Sequence, residues 1–192
     1  MRSASFVLFL MFTLSACLKE SSPSNFTLPE ATRAGLNTLG FEYDAGVFVN
    51  YGKVCFITIG CKENTDADFY TNDGQVRVQA DRVLKQNGSL VSREGFAIYV
   101  ETGFRGVRVY DSQKGDLLSM AYDIEKGGQT TTYMLDPQDP VSMVTLTRVD
   151  SAAGILSGSF SARLFRRTAV GFDVDPSDSF VVRNGRFDIK YK

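Results

Sequence analysis

The chain of 192 residues carries 21 basic and 22 acidic side chains, so its formal net charge is −1 and neither sign dominates. The absence of histidine excludes Ser-His-Asp and Cys-His catalysis and zinc sites built on imidazole. The balanced charge gives no electrostatic footprint for nucleic-acid binding, and the absence of tryptophan removes the aromatic platform most typical of carbohydrate binding.

Residues 1–16 have the pattern of a lipoprotein signal peptide. Arg2 supplies a positive charge, residues 4–14 (ASFVLFLMFTL) form an apolar run, and residues 14–17 (LSAC) place small side chains just before a cysteine. The run is shorter than the stretch of about 20 residues that spans a bilayer as a helix. We therefore expect Cys17 to carry a diacylglycerol and usually an acyl chain such as palmitate on its amine. The alternative is a buried N-terminal helix with a chance cysteine at its end.

The residues after Cys17 divide into a tether and a domain. Residues 18–27 (LKESSPSNFT) are polar and contain Ser, Pro and Asn, so Cys17 and this segment predict a lipidated, flexible tether over residues 17–27. Residues 28–192 are enough for a single domain with a real core and would be crowded as two. We find no second hydrophobic span, so the lipid is the membrane attachment that we expect.

The predicted domain is built from short runs rich in Val, Ile, Phe, Tyr and Thr, separated by Gly, Asn and Asp. Several runs alternate with period two; Leu156, Phe160 and Leu164 face one way, while Ser159 and Arg163 face the other. The predicted strands cover residues 46–50, 53–59, 67–70, 75–83, 95–101, 107–111, 118–123, 129–135, 142–149, 154–166, 179–182 and 186–191.

Turn residues separate these runs, and the strongest hairpin signal is Asn-Asp-Gly at residues 72–74, because these residue types tolerate the positive φ of type I′ turns. Further turns are predicted at residues 87–88, 103–106, 127–128 and 184–185, and one weak helix at residues 81–86. Regular strand–turn spacing without a long amphipathic helix predicts an all-β fold, either an antiparallel β-sandwich or a partly closed barrel.

Cys55 and Cys61 are the thiols that remain once Cys17 is lipidated, and an even pair in an oxidising compartment favours a disulfide. If residues 56–60 are extended, however, the two cysteines lie about 20 Å apart, whereas a bridge needs Cα atoms within about 7 Å. A disulfide would require this run to fold into a loop, helped by Gly60. We therefore favour free thiols and leave the bridge open; a catalytic thiol would lack a histidine partner.

Carboxylates offer two further kinds of site. Asp173, Asp175 and Asp178 lie together after a strand, and oxygen ligands at such spacing can hold Ca²⁺, although the glycine and the terminal glutamate of an EF-hand are missing. The favoured alternative is that Asp and Ser side chains bond to the backbone of a Pro-containing turn. Acids at residues 64–68 are a weaker candidate. A carboxylate pair could also serve a glycosidase, but no spacing in the sequence places two acids across a cleft.

Aromatic residues are expected mostly in the core. Tyr99, Tyr110, Tyr122 and Tyr133, in the middle of the chain, either line a binding surface or pack against the sheet, and packing is the favoured alternative. Most of the aromatics near the chain ends are assigned to the core: Phe41, Tyr43, Phe48, Phe56, Phe160, Phe165, Phe172 and Phe187.

Both ends of the predicted domain resemble a Bacteroidota lipoprotein family of unknown function. Residues 28–32 (LPEAT), 35–41 (GLNTLGF) and 49–54 (VNYGKV) are similar to its opening, with a tyrosine inserted into the usual VNGK turn. Residues 156–162 (LSGSFSA) and 184–191 (NGRFDIKY) are similar to its final strands. The resemblance implies a small, β-rich, lipid-anchored envelope domain and implies no reaction.

The residues after the lipid-bearing cysteine bear on location. Lys19 and Glu20 are similar to the basic and acidic residues that often follow this cysteine in surface-displayed Bacteroidota lipoproteins, although Ser21 stands where a second acid would help. We expect an outer-membrane lipoprotein, displayed at the surface rather than facing the periplasm. Its expected role is a non-catalytic binding or accessory module without a cofactor, with an envelope protein or a glycan as partner. The alternatives are a carboxylate-dependent glycan hydrolase and a host-facing adhesin or inhibitor.

Overall fold

The computed structural model describes residues 26–44, 46–50, 54–56, 60–62, 65–70, 75–86, 89–101, 103–168 and 172–191, so the predicted signal peptide and Cys17 lie outside the described residues. Within these ranges the strands are β1 (Thr38–Tyr43), β2 (Gly46–Val49), β3 (Val54–Phe56), β4 (Gly60–Lys62), β5 (Thr65–Tyr70), β6 (Gln75–Gln86), β7 (Ser89–Val100), β8 (Val109–Asp111), β9 (Leu118–Lys126), β10 (Gln129–Met134), β11 (Ser142–Asp150), β12 (Ile155–Arg167) and β13 (Val174–Lys190). A short 3-10 turn, Ser112–Lys114, follows β8. Among the described residues, no helix has the length and hydrophobicity needed to cross a bilayer.

The fold is all-β, and its main antiparallel sheet is nearly closed into a barrel, which confirms the predicted fold class. The strands follow the order β2-β1-β13-β12-β10-β9-β7-β6-β5, while β3 and β4 form a separate hairpin. The sheet forks at β12, because β11 pairs with the first part of that strand and β10 with its end. β8 continues the fork by pairing with β11. The last strand of the path, β5, returns towards β13.

Aromatic rings from several strands meet in the interior. Phe41 stacks on Phe48 with ring centroids 4.9 Å apart and contacts Phe96 at 4.6 Å. Phe96 in turn stacks on Phe160 at 5.2 Å, and Tyr122 meets Phe41 edge-on at 5.8 Å. Each of these side chains is at most 4 % exposed, and burying one contributes about 2–3 kcal/mol relative to leaving it in water. The interior is therefore filled by side chains.

Two predicted elements are wrong because the sequence gives no sign of where the chain reverses or keeps going. Residues 53–59 were predicted as one strand, whereas the described segments Val54–Phe56 and Gly60–Lys62 pair with each other as the antiparallel strands β3 and β4. Residues 81–86, predicted as a helix, continue β6, because Arg82 and Leu84 keep the inward alternation of Ala80. β1 was not predicted as a strand, although Leu39 and Phe41 alternate inward.

Two predicted turns have other roles. Asn184 and Gly185 form a bulge inside the long strand β13, where Asn184 has φ 51°. A Cβ on Gly185 would lie 2.5 Å from the Phe160 ring, so only glycine fits there. Residues 103–106, predicted as a hairpin turn, lie in the connection between β7 and β8, which do not pair with each other. The turn at residues 127–128 is confirmed, since Lys126 pairs with Gln129 across it.

The N-terminal segment, residues 26–37, is held against the barrel by the buried carboxylate of Asp188. Backbone N–H groups of Ala34, Gly35 and Leu36 donate to it at 2.9, 2.8 and 3.3 Å. The Ser157 hydroxyl donates at 2.7 Å, and the Thr32 hydroxyl is a further donor. Burial alone would raise the pKa of Asp188, but these hydrogen bonds outweigh burial and lower the pKa below its usual range.

We predict that Asp188→Asn lowers the free energy of unfolding by about 3 kcal/mol, because an amide NH₂ would face N–H and O–H donors. In a chain of this size the melting temperature would fall by about 8 °C. Because the pKa of Asp188 is lowered on folding, its contribution is present above the unfolded-chain pKa of about 3.9 and disappears as the pH falls through the folded-state value.

The measurement is thermal unfolding as a function of pH, with Asp123→Asn as control. Asp123 is an exposed carboxylate on β9 that accepts a hydrogen bond from Thr132. The control should unfold within about 0.5 kcal/mol of the wild type. Equal stability of the two variants near neutral pH would contradict the role assigned to Asp188.

Candidate functional site

The outer face of β12 carries polar residues, as the alternation predicted. Leu156, Phe160 and Leu164 are buried, whereas Ser159 and Arg163 are exposed. Beyond Ser157, which the N-terminal segment covers, this outward face is open to solvent. The neighbouring strands β11 and β13 flank it on either side, so side chains from three strands share one open surface.

One end of this surface is a groove of about 370 Å³ between β11, β12 and β13, which we call the apolar groove. Val141, Met143 and Val181 provide its apolar lining, and Arg163 and Asp111 its charged rim. Val141 is 37 % and Met143 42 % exposed. Clustered apolar side chains on an outer face are typical of interaction surfaces.

Exposed apolar surface continues onto β8. Val109 is 46 % exposed and pairs with Thr145, two residues along from the pair formed by Asp111 and Met143 and on the same face. Diagonal neighbours of this kind lie within reach of a long side chain such as Met143. Val109 therefore continues the exposed apolar surface from Met143 towards the edge of the sheet.

The free edge of β8 is occupied by local hydrogen bonds. Asp116 accepts from the Asp111 N–H at 2.8 Å and donates its own N–H to the Asp111 carbonyl at 3.2 Å. Arg108 donates to the Val109 carbonyl at 3.0 Å and pairs with Asp116 at 2.7 Å. Backbone groups that are already bonded cannot accept an added strand. The face of this sheet region, rather than its edge, is therefore the accessible surface.

A second groove, of about 220 Å³, lies next to the first and is lined mostly by polar residue types; we call it the arginine groove. It runs between the N-terminal segment and the strands, and Arg33, Arg186, Thr147, Ser159 and Glu30 are among its lining residues. Ser159 lines this groove, and Ser161, two residues later on the same face of β12, lines the apolar groove. The two grooves thus follow one another along a single strand.

Inside the barrel, Glu94 is the centre of a buried polar network. Its carboxylate pairs with Arg82, whose Nε lies 3.2 Å away, and accepts from Ser92 at 3.1 Å and from the Tyr122 hydroxyl. Burial and the Glu94 carboxylate raise the pKa of Tyr122, so its hydroxyl stays protonated and donates. Arg82 also donates to the Val47 carbonyl at 2.7 Å. Glu94 thus stabilises the contacts between strands of the barrel, and its side chain is only 8 % exposed.

We predict that Arg82→Met lowers the free energy of unfolding by about 4 kcal/mol, because it leaves the Glu94 carboxylate buried without its counter-ion. Adding Glu94→Gln should restore about half of the loss, since glutamine removes the charge and still accepts from Tyr122. The measurement is urea unfolding. The control is Arg93→Met, which breaks an exposed pair with Glu125 and should change stability by less than about 1 kcal/mol. Similar losses in Arg82→Met and Arg93→Met would contradict this role.

The three acids proposed as calcium ligands have separate partners. Asp175 accepts from the Ser177 N–H at 2.9 Å and from the Ser177 hydroxyl at 2.6 Å, and the hydroxyl bond lowers its pKa most. Asp178 faces Arg166 at 3.5 Å and accepts from Tyr133 at 3.2 Å, while the backbone carbonyl of Asp173 accepts from the Thr168 N–H. The described residues hold no group of three His, Cys, Asp or Glu suited to a metal ion. The Asp175 bonds are of the side-chain-to-backbone kind that the alternative expected, but Asp175 and Asp178 lie within β13, where a bulge separates Asp175 from Ser179, and not in a turn.

The predicted tyrosines are distributed between core and sheet surface. Tyr110 and Tyr122 are at most 1 % exposed, and Tyr110 donates to the Gly106 carbonyl at 2.9 Å. Tyr133 is half-buried against Phe180, with ring centroids 5.0 Å apart. Among the predicted core aromatics, Phe172 is wrong, because it is 70 % exposed at the start of the chain that leads into β13.

The structure changes the geometric argument about the cysteines. In the β3–β4 hairpin, Cys55 and Cys61 are paired directly opposite each other. Residues paired in an antiparallel ladder have Cα atoms about 4.5–5.5 Å apart, which lies inside the range of a disulfide. The assumption of an extended run, which set the two cysteines about 20 Å apart, is therefore wrong.

We predict that Cys55 and Cys61 form a disulfide when the protein is made in an oxidising compartment. The intact mass of the natively isolated protein should be lower by about 2 Da than after reduction, because two hydrogens leave when the bond forms. Proteolysis without reductant should yield one crosslinked peptide that contains both cysteines. The Cys55→Ser/Cys61→Ser variant supplies the control without a mass change. Two free thiols that alkylate without prior reduction would contradict the prediction.

Sequence reasoning did not single out the residues that line the two grooves. Arg163 was placed on the outward face of its strand, but Arg186 and Met143 were not identified, and no spacing along the chain connects the three. The signal that could have found them is the outward position of an exposed Met and two Arg on predicted strands. The chain matches no family model, no curated protein and no solved structure.

Proposed function

We propose that the protein is an outer-membrane lipoprotein, anchored through Cys17, whose barrel is a non-catalytic binding or accessory module of the cell envelope. The lipobox at residues 14–17 supports the anchor. Two or three acyl chains attach a protein stably to a membrane, since each buried methylene contributes about 0.8 kcal/mol. The Lys19 and Glu20 pattern supports display at the surface.

The observation that carries the binding role is the open face formed by the apolar groove and the arginine groove. Barrels that carry a ligand inside need an empty interior, whereas this interior is filled by Phe41, Phe96 and Phe160. The outer face instead exposes Met143 and Val109 next to charged side chains that remain accessible to solvent. An apolar centre with a polar rim is the usual anatomy of a protein interface.

The tether limits how far the domain can lie from the membrane. Phe26 is the first described residue, and its ring lies 5.4 Å from the Arg82 guanidinium, so contact with the barrel begins before the predicted boundary at residue 28. A fully extended segment from Cys17 to Phe26 reaches about 30 Å. Phe26 would therefore lie within that distance of the bilayer, which keeps the domain beside the membrane and suits another envelope protein as its partner.

The test is crosslinking and affinity capture from native membranes with wild type, Cys17→Ala, Met143→Lys and Leu90→Glu, followed by mass spectrometry. Met143 lies across from Asp111 and Leu90 across from Lys85, so each new charge faces an opposite charge and costs little stability. Leu90 is 49 % exposed and lies on β7, outside both grooves. We expect Met143→Lys to reduce capture of a defined partner by about tenfold or more, and Leu90→Glu to leave it unchanged.

Cys17→Ala addresses the anchor in the same experiment, because the variant should leave the membrane fraction and lose the partner while remaining folded. Retention of Cys17→Ala in washed membranes would contradict lipidation as the attachment. Equal capture by wild type and Met143→Lys, or equal loss in Met143→Lys and Leu90→Glu, would contradict the assignment of the binding face.

A further inference from the structure

The arginine groove lies between two walls of different origin. Residues 30–33 of the N-terminal segment form one wall. Residues of the sheet form the other, and its polar members are Thr38 of β1, Thr147 of β11, Ser159 of β12 and Arg186 of β13. The groove therefore exists only while the N-terminal segment is docked on the barrel.

The wall from the N-terminal segment is fixed at both of its ends. On one side Pro29 packs on Gly40 of β1, where a Cβ would lie only 2.8 Å from Pro29 Cδ, so the missing side chain leaves room for the segment. On the other side the N–H groups of residues 34–36 donate to the Asp188 carboxylate at 2.9, 2.8 and 3.3 Å. This anchoring holds residues 30–33 in a defined position, so the polar groups of the groove are preorganised for a ligand.

Arg186 lines this groove with one donor unused. It pairs with Gly40 of β1 on one side and with Ser159 of β12 on the other. Its Nε is shielded from solvent and has no hydrogen-bond partner among the described residues. The carboxylate two residues along the same strand, Asp188, already accepts from five donors. Because buried donors in folded proteins are nearly always bonded, the Arg186 Nε calls for an acceptor from outside these residues.

The other residues of the groove indicate which kind of anion fits. The hydroxyls of Thr38 and Ser159 can donate or accept, and that of Thr147, which donates its proton to a backbone carbonyl, can accept. Glu30 can accept from a ligand hydroxyl but repels a second negative charge, while Arg33 adds a positive charge to the same wall. The volume of about 220 Å³ is below the roughly 300–1,000 Å³ of pockets for drug-sized ligands. These features favour a ligand of the size of one sugar unit.

We propose that the arginine groove binds a small hydroxylated anion of the sugar acid or sugar phosphate type, with its oxyanion group on Arg186. This inference rests on the proposed function, because it names the ligand of one of the two grooves of the binding face. Carboxylate and phosphate both suit arginine, since the planar guanidinium donates two parallel hydrogen bonds to either group. Because the N-terminal segment closes the site, ligand binding and docking of the segment favour each other. Bound ligand would thus keep residues 26–36 on the barrel and the tether short.

The test is isothermal titration calorimetry of the lipidated full chain in detergent with methyl glucuronide and glucosyl phosphate, and with methyl glucoside as the uncharged probe. We expect saturable binding of an anionic sugar, at least about tenfold tighter than that of methyl glucoside. The tighter of the two anionic probes identifies carboxylate or phosphate as the group recognised. Arg186→Gln should weaken this binding by about tenfold or more, through loss of one charge-assisted interaction. The matched control is Arg183→Gln, since Arg183 lies on the same strand outside both grooves and pairs with Asp44 at 3.1 Å.

Hydrogen exchange separates a site closed by the N-terminal segment from general charge attraction. At a probe concentration of about ten times Kd, exchange of the N–H groups of residues 34–36 should slow by about tenfold, because the undocked segment leaves no site for the probe. Arg186→Gln should remove this slowing and, without ligand, melt within about 2 °C of the wild type, since its Nε has no bond to lose.

Four results would overturn the proposal. They are absence of saturable binding of both anionic sugars, equal binding of methyl glucoside, an equal loss of affinity in Arg183→Gln, and binding that leaves the exchange of residues 34–36 unchanged. Inorganic phosphate or acetate that binds as tightly as the anionic sugars would also overturn it, because the hydroxyls of the ligand would then contribute nothing.

Failure of this inference is distinguishable from failure of the proposed function. If no anionic sugar binds but Met143→Lys still loses its native partner, the binding face stands and the ligand class is wrong. If an anionic sugar binds through Arg186 but Met143→Lys keeps its partner, the ligand site stands and the partner surface at Met143 is wrong.

Discussion

The barrel depends on the buried guanidinium of Arg82. Among the described residues, this side chain lies where the two end strands of the main sheet, β2 and β5, do not pair with each other. Within the described residues, β5 pairs with β6 from Tyr70 opposite Gln75 to Thr65 opposite Ala80, and Arg82 lies two residues further along β6. There Arg82 donates to the Val47 carbonyl of β2, the opposite end of the sheet path, and pairs with Glu94 of β7. A side chain thus replaces ladder hydrogen bonds across the seam. Because a buried charge needs compensation, this closure also requires Glu94 and its donors.

The Arg82–Glu94 network explains why we propose a binding face on the outside of the barrel. The Arg82 guanidinium lies 4.9 Å from the Phe48 ring centre, so the polar network rests directly on the aromatic interior and leaves that region filled. The outward side chains of β11, β12 and β13 consequently remain the groups available for recognition. A rigid sheet presents such groups at fixed spacing, which reduces the conformational entropy that this face itself would lose on binding a partner.

Local chemistry was enough to predict most strands, because β-branched and aromatic runs alternate with Gly, Asn and Asp turns. It failed where two structures share one local pattern. The β-branched residues 57–59 (ITI) give β3 and β4 the sequence pattern of one strand, and the Asn-Gly pair at residues 184–185 occurs in a bulge although the same pair is typical of a turn. Residues 81–86 look helical by composition, yet the inward position of Arg82 decides their conformation through tertiary contacts.

The binding face was beyond sequence reasoning for a topological reason. Alternation predicted that Arg163 points outward, but not that β11 and β13 flank β12 and bring Met143 and Arg186 beside it. The fork at β12 is set by pairing between segments far apart in the chain. The two cysteines differ from this case because both lie in one local hairpin. The sequence analysis lacked only the position at which that hairpin reverses.

The attachment of the N-terminal segment has a mechanical consequence. If Cys17 is fixed in the membrane, a pull on the domain reaches Phe26 first and then the donors at Ala34, Gly35 and Leu36 that hold Asp188. Release of residues 26–36 would lengthen the tether by about 35 Å while the strands of the sheet stay paired. Under a mechanical load on the proposed anchor, the N-terminal segment would therefore detach before the barrel unfolds.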